Sequence, residues 1–336
     1  MRLTEPILGR PGIEYECLAF DSQGVKGACV RASTADVAVV VDPGASLEGP
    51  VFPLPQPEQA RLLENRLAVC RAAAADAQAL VISHYHLDHF IENRDAELYG
   101  GKILFVKDTE GLPPKQAARA ESFFRTIDGL PTEVIPCDGR TFRFGRTTIE
   151  FSAPVPHGAV GAEPGTVVMT TLNRGREALL ISSDVCGPVE EPTAELIIAS
   201  RARTVVLDGY PTHILQGQGT PMEDLLRSII NACRILHSRQ LKTLILDHHP
   251  CRDYRYPAFL KLVYDKANQL GKRFGTAAEL AGDRSAVLRG YGDYGPTRWK
   301  KWQPLDTELG RQLLGRAVAE RRLPETVVRD FERWVA

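Results

Sequence analysis

No Cys-x-x-Cys pair occurs among the seven cysteines, which stand at Cys17, Cys29, Cys70, Cys137, Cys186, Cys233 and Cys251. An odd number without paired spacing speaks against a disulfide framework and against a cysteine-based zinc finger. No apolar run approaches the roughly 20 residues needed to cross a bilayer. The opening stretch, MRLTEPILGRPG, holds no leader-type apolar segment and is interrupted at Pro11-Gly12. The net charge is −1, so no bulk field draws the chain toward nucleic acid or an acidic membrane surface. These absences lead us to expect a cytoplasmic protein without membrane contact; oligomeric state is left unassigned. Histidine is scarce as well, with 8 in 336 residues.

What is present is ordinary in bulk. Hydrophobic residues make up 43% and charged residues 25%, near globular averages, so a sizeable core is affordable over this length. ECLAFDS, KGACVRAST and DVAVVVDPG read as short strands between glycine and polar breaks, and LVISH, GKILFVKD, TVVLDG and LKTLILDHH as further buried strands. RTFRFG, RTTIEFSAPVPHG and VVMTTLNRGREALLISSD carry hairpin patterning, the last turning at Asn173-Arg174-Gly175. Helices are expected over 58–78, from Pro113-Pro114 onward, over Pro221 to about Ser238, and around Ala258 to Leu270. Thr220 and Glu223 would form a capping box for the third of these. Its apolar face is Met222, Leu225, Leu226, Ile229, Ile230, Cys233 and Leu236. Strands outnumber helices, which favours two packed sheets covered by helices over a doubly wound parallel sheet. We expect one domain over 1–290 and a helical extension over 291–336 packed on it. All three tryptophans, Trp299, Trp302 and Trp334, lie in that extension, where anchoring it to the domain is the simplest role and contact with a partner or substrate the alternative.

Three of the eight histidines fall in SHYHLDHF, directly behind an apolar strand. His84 and His86 are two apart, so at a strand end they point the same way and can converge on one ion. If the chain then turns into a helix, Asp88 and His89 can aim at a second point nearby. Imidazole nitrogen and carboxylate oxygen are both zinc donors.

This H-x-H-x-D-H motif resembles the signature of the metallo-β-lactamase superfamily. The resemblance spans roughly residues 15–270 and implies an α+β fold, an αββα sandwich of two mixed β-sheets flanked by helices, with metal at one edge. Further positions agree in order: Asp42 in VVVDPG, His157 in APVPHG, Asp184 in LLISSD, and His248 or His249 in LILDHHP. More narrowly, SHYHLDH, PVPHG, SSDVCGP and LILDHHPCRD are similar to a branch of hydrolases without an assigned substrate. The resemblance implies two divalent ions, zinc in first place with manganese or iron as alternatives. His84, His86 and His157 would hold one ion, and Asp88, His89 and a final histidine the other. Asp184 would bridge them, and Asp42 would accept a hydrogen bond from a ligand imidazole. Asp88 and Asp184 would also be the catalytic carboxylates, beside a hydroxide generated on the metals.

For the final ligand His248 is favoured, because it comes first after the strand and can turn back. On an extended chain His249 would point away and line the pocket or pack. Asp208, Tyr210 and His213, in VLDGYPTHIL, are candidates for substrate contact or for support behind the ligands; a turn shaped by Gly209 and Pro211 is the plainer alternative. Tyr85 reads as packing, His237 as a helix C-terminal residue and Cys186 as a small buried side chain. Arg252 and Arg255 either bind a substrate anion or form surface ion pairs.

The function expected is hydrolysis of a small phosphoester or a carbonyl substrate such as an ester, thioester or lactone. A nuclease or phosphodiesterase acting on RNA or DNA is an alternative, disfavoured by the charge balance and by the absence of a basic, aromatic-laced stretch. A non-catalytic metal-dependent binding protein is another. The choice between the adjacent histidines is testable by metal analysis. His248→Ala should lose about one equivalent of bound metal while His249→Ala keeps both, and the reverse pattern would exchange their roles.

Overall fold

The computed structural model describes residues 12–91, 93–159, 161–216, 222–295 and 304–336. Runs such as Val39-Val40-Val41 and Leu80-Val81-Ile82 are apolar at every position because both of their faces are covered. They build a six-stranded sheet from β1 (Glu14–Phe20), β2 (Ala28–Ser33), β3 (Ala38–Val41), β4 (Ala79–Ile82), β5 (Ile103–Val106) and β6 (Glu133–Pro136), in that spatial order. β1, β2 and β3 pair antiparallel, and β3 to β6 pair parallel. The later strands are β7 (Thr141–Phe144), β8 (Thr147–Phe151), β9 (Val155–Pro156), β10 (Thr166–Val167), β11 (Thr170–Arg174), β12 (Glu177–Ile181), β13 (Thr204–Asp208), β14 (Thr243–Asp247) and β15 (Arg273–Gly275). A seven-stranded sheet runs β15-β14-β13-β12-β11-β8-β7, parallel on its β15 side and antiparallel from β12 to β7. β9 and β10 form a small hairpin of their own.

The helices are α1 (Gln56–Asp76), α2 (Pro114–Thr126), α3 (Glu191–Ala199), α4 (Met222–Leu236), α5 (Tyr256–Phe259), α6 (Lys261–Gln269), α7 (Ala277–Leu280), α8 (Ala286–Tyr294), α9 (Thr307–Ala319) and α10 (Thr326–Trp334). Between the sheets, Val39, Val41 and Val81 meet Leu179, Ile181, Val206 and Ile245. On the outer face of the first sheet, Val40, Leu80 and Ile82 meet Cys70 and Ala74 of α1 and Phe123 of α2. On the outer face of the second, Leu180, Val205, Leu207 and Leu244 meet Ile197 of α3, Leu225 and Ile229 of α4 and Val263 of α6. Period-two alternation thus produces helix, sheet, sheet, helix: an α+β sandwich of two mixed sheets flanked by helices.

The sequence-based elements differ from this in particulars. The single helix expected around 258–270 is two, α5 and α6. The segment after His86 is a turn closed by His89 N–H donating to the His86 carbonyl at 3.0 Å, where a helix was expected. EPTAELIIA, with proline in its first turn, forms the unforeseen α3. Thr220 and Pro221 of the expected capping box, and Trp299 and Trp302, lie outside the described residues. α8 runs across the boundary between 290 and 291, where the extension is expected to begin.

Leu314 of α9 and Val327 and Phe331 of α10 join the cluster that contains α4. Trp334 sets its ring against His237 at a centroid distance of 5.2 Å, at the end of α4. Gly310 of α9 lies so close to α10 that a Cβ there would stand 2.5 Å from the Phe331 ring. Phe331 is fully buried, so Phe331→Ala should cost about 3–5 kcal/mol of stability. Urea denaturation of the full chain checks this by a lowered midpoint.

Candidate metal centre

The parallel strands β3, β4, β12, β13 and β14 end along one rim, and each hands its next residues to the same place. β3 delivers Asp42, β4 delivers Ser83 and His84, β12 delivers Ser183 and Asp184, β13 ends in Asp208, and β14 delivers His248. His157 follows β9. At this rim Asp42, Ser183, Cys186 and His248 all adopt left-handed backbone, with φ of 51°, 54°, 49° and 67°. Non-glycine residues rarely take that conformation. The chain also needs Gly44 here, because a Cβ would stand 2.3 Å from the Phe90 nitrogen and 2.6 Å from the His89 carbonyl carbon.

His84 Nε2, His86 Nδ1, His157 Nε2 and an Asp184 carboxylate oxygen form one group of donors. His86 Nδ1 is 3.0 Å from His84 Nε2 and 3.3 Å from His157 Nε2. Asp184 Oδ2 is 3.4 Å from His84 Nε2 and 3.3 Å from His157 Nε2. Donors about 2.0–2.1 Å from a tetrahedral ion stand about 3.3–3.4 Å from one another, so the spacing fits one small cation.

Asp88, His89 and His248 form a second group. His248 Nε2 is 3.9 Å from Asp88 Oδ2 and 3.4 Å from Asp184 Oδ2, and His89 Nε2 is 3.2 Å from Asp184 Oδ1. His89 Nε2 and Asp184 Oδ1 are buried and make no hydrogen bond. Buried polar atoms are rarely left so, and a cation between them would satisfy both. Asp184 faces both groups.

Behind the donors a tier of oxygens fixes the rings. Asp42 accepts from the Ser83 backbone N–H at 2.8 Å and the Ser83 hydroxyl at 2.6 Å, and stands 3.0 Å from His89 Nδ1. Because Ser83 gives its proton to Asp42, its oxygen can accept from Ser183 Oγ at 2.5 Å and from His84 Nδ1 at 3.1 Å. His84 then carries its proton on Nδ1 and presents Nε2 bare to the first group. Asp21, at the end of β1, stands 2.5 Å from His248 Nδ1 and accepts from Arg252 Nε at 2.5 Å.

The remaining expected residues find definite places. His248 opens a 3-10 turn (His249–Arg252) rather than continuing an extended chain. The two adjacent imidazoles therefore lie only 4.4 Å apart and do not diverge. His249 Nδ1 lies 2.9 Å and 3.0 Å from the two oxygens of Asp208, which also accepts from the Cys186 backbone N–H. Tyr210 is buried, and it shares the wall of a cleft of about 410 Å³ with His157, His213 and His249. His213 Nδ1 is 3.3 Å from the His249 carbonyl. Cys186 is buried with Sγ 3.5 Å from His157 Nδ1, so it touches a candidate ligand as well as packing. Tyr85 is fully buried and donates to the Lys107 carbonyl. Arg255 pairs with Asp253 in the interior and is neither a surface ion pair nor exposed to a substrate. Arg252 remains at the centre. Asp21, Ser83 and Ser183 were not singled out from the sequence. Asp21, like Asp42, is a carboxylate that follows an apolar strand, in LAFD.

Burial, reinforced by the neighbouring His89, lowers the His84 pKa to about 4, and burial with His84 beside it lowers His86 to about 2. Burial would depress His89 too, but the carboxylates of Asp184 and Asp42 outweigh it and hold its pKa well above 6.5. Burial likewise opposes ionisation of Asp184, yet the surrounding imidazoles keep its pKa well below the usual range.

The metallo-beta-lactamase superfamily model matches residues 27–170. A UPF0282 protein of Metallosphaera sedula is 34% identical over 282 residues, covering 82% of this chain and 90% of the relative. A UPF0282 protein of Saccharolobus islandicus is 35% identical over 277 residues, covering 81% and 89%. Among solved structures, CmlA, a diiron β-hydroxylase from Streptomyces venezuelae, is similar with 14% identity and a TM-score of 0.47, over 80% of this chain and 53% of that one.

The ionisation pattern has a measurable result. In metal-free protein at neutral pH, His84 and His86 are already neutral, while His89, and His248 beside Asp21 and Asp184, carry protons that a cation must expel. Affinity at the second group should therefore rise with pH, by up to about a hundredfold per unit for two protons. Calorimetric zinc titrations in buffers of different ionisation enthalpy would show about two protons released as the second group fills and none from His84 or His86.

Proposed function

Because the chain belongs to the UPF0282 proteins of the metallo-beta-lactamase superfamily, whose members are in the main metal-dependent hydrolases, we propose that it is a binuclear hydrolase of a small anionic ester, a phosphoester in first place. The observation that carries this reading is the single Asp184 carboxylate facing two separate donor groups. His84, His86 and His157 would hold one divalent ion, Asp88, His89 and His248 the other, with Asp184 shared. Imidazole and carboxylate donors at tetrahedral spacing suit zinc, with manganese and iron as the alternatives. Such ions would supply Lewis acidity and ionise a water at neutral pH.

The chain's own residues supply substrate binding. A cleft of about 500 Å³ beside His86 and Asp88 is lined by Lys26, Lys115, Arg119 and Arg252. Lys115 pairs with Glu163, and Arg252 with Asp21 and Asp88. Lys26 and Arg119 have no ion-pair partner among the described residues, so they are free to meet an anion. This charge favours a phosphoester over a neutral carbonyl compound. A carbonyl substrate remains the second reading, favoured by the largely apolar cleft on the His157 side, where Ala159, Ala162, Val189 and Ile214 lie. The size of both clefts suits a small molecule better than a polymer.

The test is turnover by zinc- or manganese-loaded protein of bis(p-nitrophenyl) phosphate, p-nitrophenyl phosphate and p-nitrophenyl acetate. A phosphate ester should be cleaved, with Asp184→Asn lowering kcat by at least about a hundredfold. Cleavage of the acetate alone would select the carbonyl reading. No turnover of any of the three by protein holding two ions would overturn hydrolysis and leave metal-dependent binding.

A further inference from the structure

Arg252 stands beside the second donor group. Its Nε donates to Asp21 at 2.5 Å, while Nη2 lies 3.4 Å from Asp88 Oδ2 and 3.3 Å from His248 Nε2. Those last two atoms belong to the second donor group. The guanidinium offers only N–H donors and never loses its charge. With His248 Nδ1 held by Asp21, the Nε2 edge that faces Arg252 is the one an ion would use. No arginine or lysine is hydrogen-bonded or ion-paired to His84, His86 or His157 among the described residues. The two donor groups are therefore unequal although they share Asp184.

We propose that Arg252 is a built-in placeholder for the second cation. It holds Asp88 and His248 in position when only the first ion is bound, makes the second site the weaker, and gives up those donors when a second divalent ion arrives. Its Nε remains tied to Asp21. Its freed Nη2 turns toward the two clefts it already borders, so filling the second site also presents a guanidinium to an anionic substrate. The sequence spacing serves this: Arg252 follows His248 by four residues around the His249–Arg252 turn, which places both side chains on Asp21. Asp21 thus orients the ligand and its competitor together.

The inference rests on reading these residues as metal ligands, and the experiment separates the two. Metal-free full-length protein is titrated with zinc against a chromophoric chelator, as wild type, Arg252→Met and Arg252→Lys. In the wild type the two dissociation constants should differ by at least tenfold. Even at bulk-water screening, a unit charge about 4 Å from a dication costs more than about tenfold in affinity. Arg252→Met should tighten the second site at least tenfold and leave the first unchanged, and Arg252→Lys should fall between. Two equal sites in the wild type, or a second site in folded Arg252→Met that is unchanged or weaker, would overturn the placeholder and leave Arg252 as a strut for Asp21. Absence of zinc binding altogether would overturn the ligand assignment itself. If Arg252→Met does not fold, NMR of the wild-type arginine side chains decides. The Arg252 guanidinium signals should shift with the second equivalent of zinc, and a shift confined to the first equivalent would overturn the proposal.

Discussion

The carboxylate of Asp184 is the point on which the two halves of the sandwich agree. It is buried, and imidazoles from three different segments close on it within 3.2–3.4 Å: His84 and His89 behind β4, His157 behind β9 and His248 behind β14. An isolated carboxylate in that position would be costly. Surrounded by bases that can carry protons or share cations, it remains ionised. The six-stranded and seven-stranded sheets must therefore end at the same level and the same rim, since a slip of one residue in β12 would turn Asp184 to the other face.

Around that carboxylate the chain arranges charge in tiers. Imidazoles surround Asp184, and outside them Asp42, Ser83, Ser183 and Asp21 hold the Nδ1 atoms of His84, His89 and His248. Each ring is thereby given one bound edge and one free edge. Asp208 does the same for His249, and burial with the charge of Asp184 raises the Asp208 pKa to about 7. The rim is an alternation of acid and base in which no side chain's orientation is independent of its neighbour.

Much of this was legible in the chain itself. The buried strands announced themselves as short apolar runs, and SHYHLDHF could hardly be read otherwise, because four donors in six positions after a strand have little structural use. The carboxylates at strand ends, Asp42 and Asp184, followed from the resemblance. Asp21 did not, although LAFD has the same form as VVVD, because nothing local shows that β1 ends on the shared rim. Ser83 and Ser183 are silent in sequence, since a serine gains its meaning only from the partner that a distant strand brings. The relative directions of the adjacent His248 and His249 are not legible locally, because the positive φ at His248 depends on tertiary packing. EPTAELIIA went unread as a helix because it is short and apolar on most sides.

The four left-handed residues at the rim, Asp42, Ser183, Cys186 and His248, carry one more implication. Their backbone is held in place by strand ends and hydrogen bonds that belong to the polypeptide alone. A replacement that cannot take a positive φ would therefore disturb the rim through its backbone, whatever donor its side chain carried.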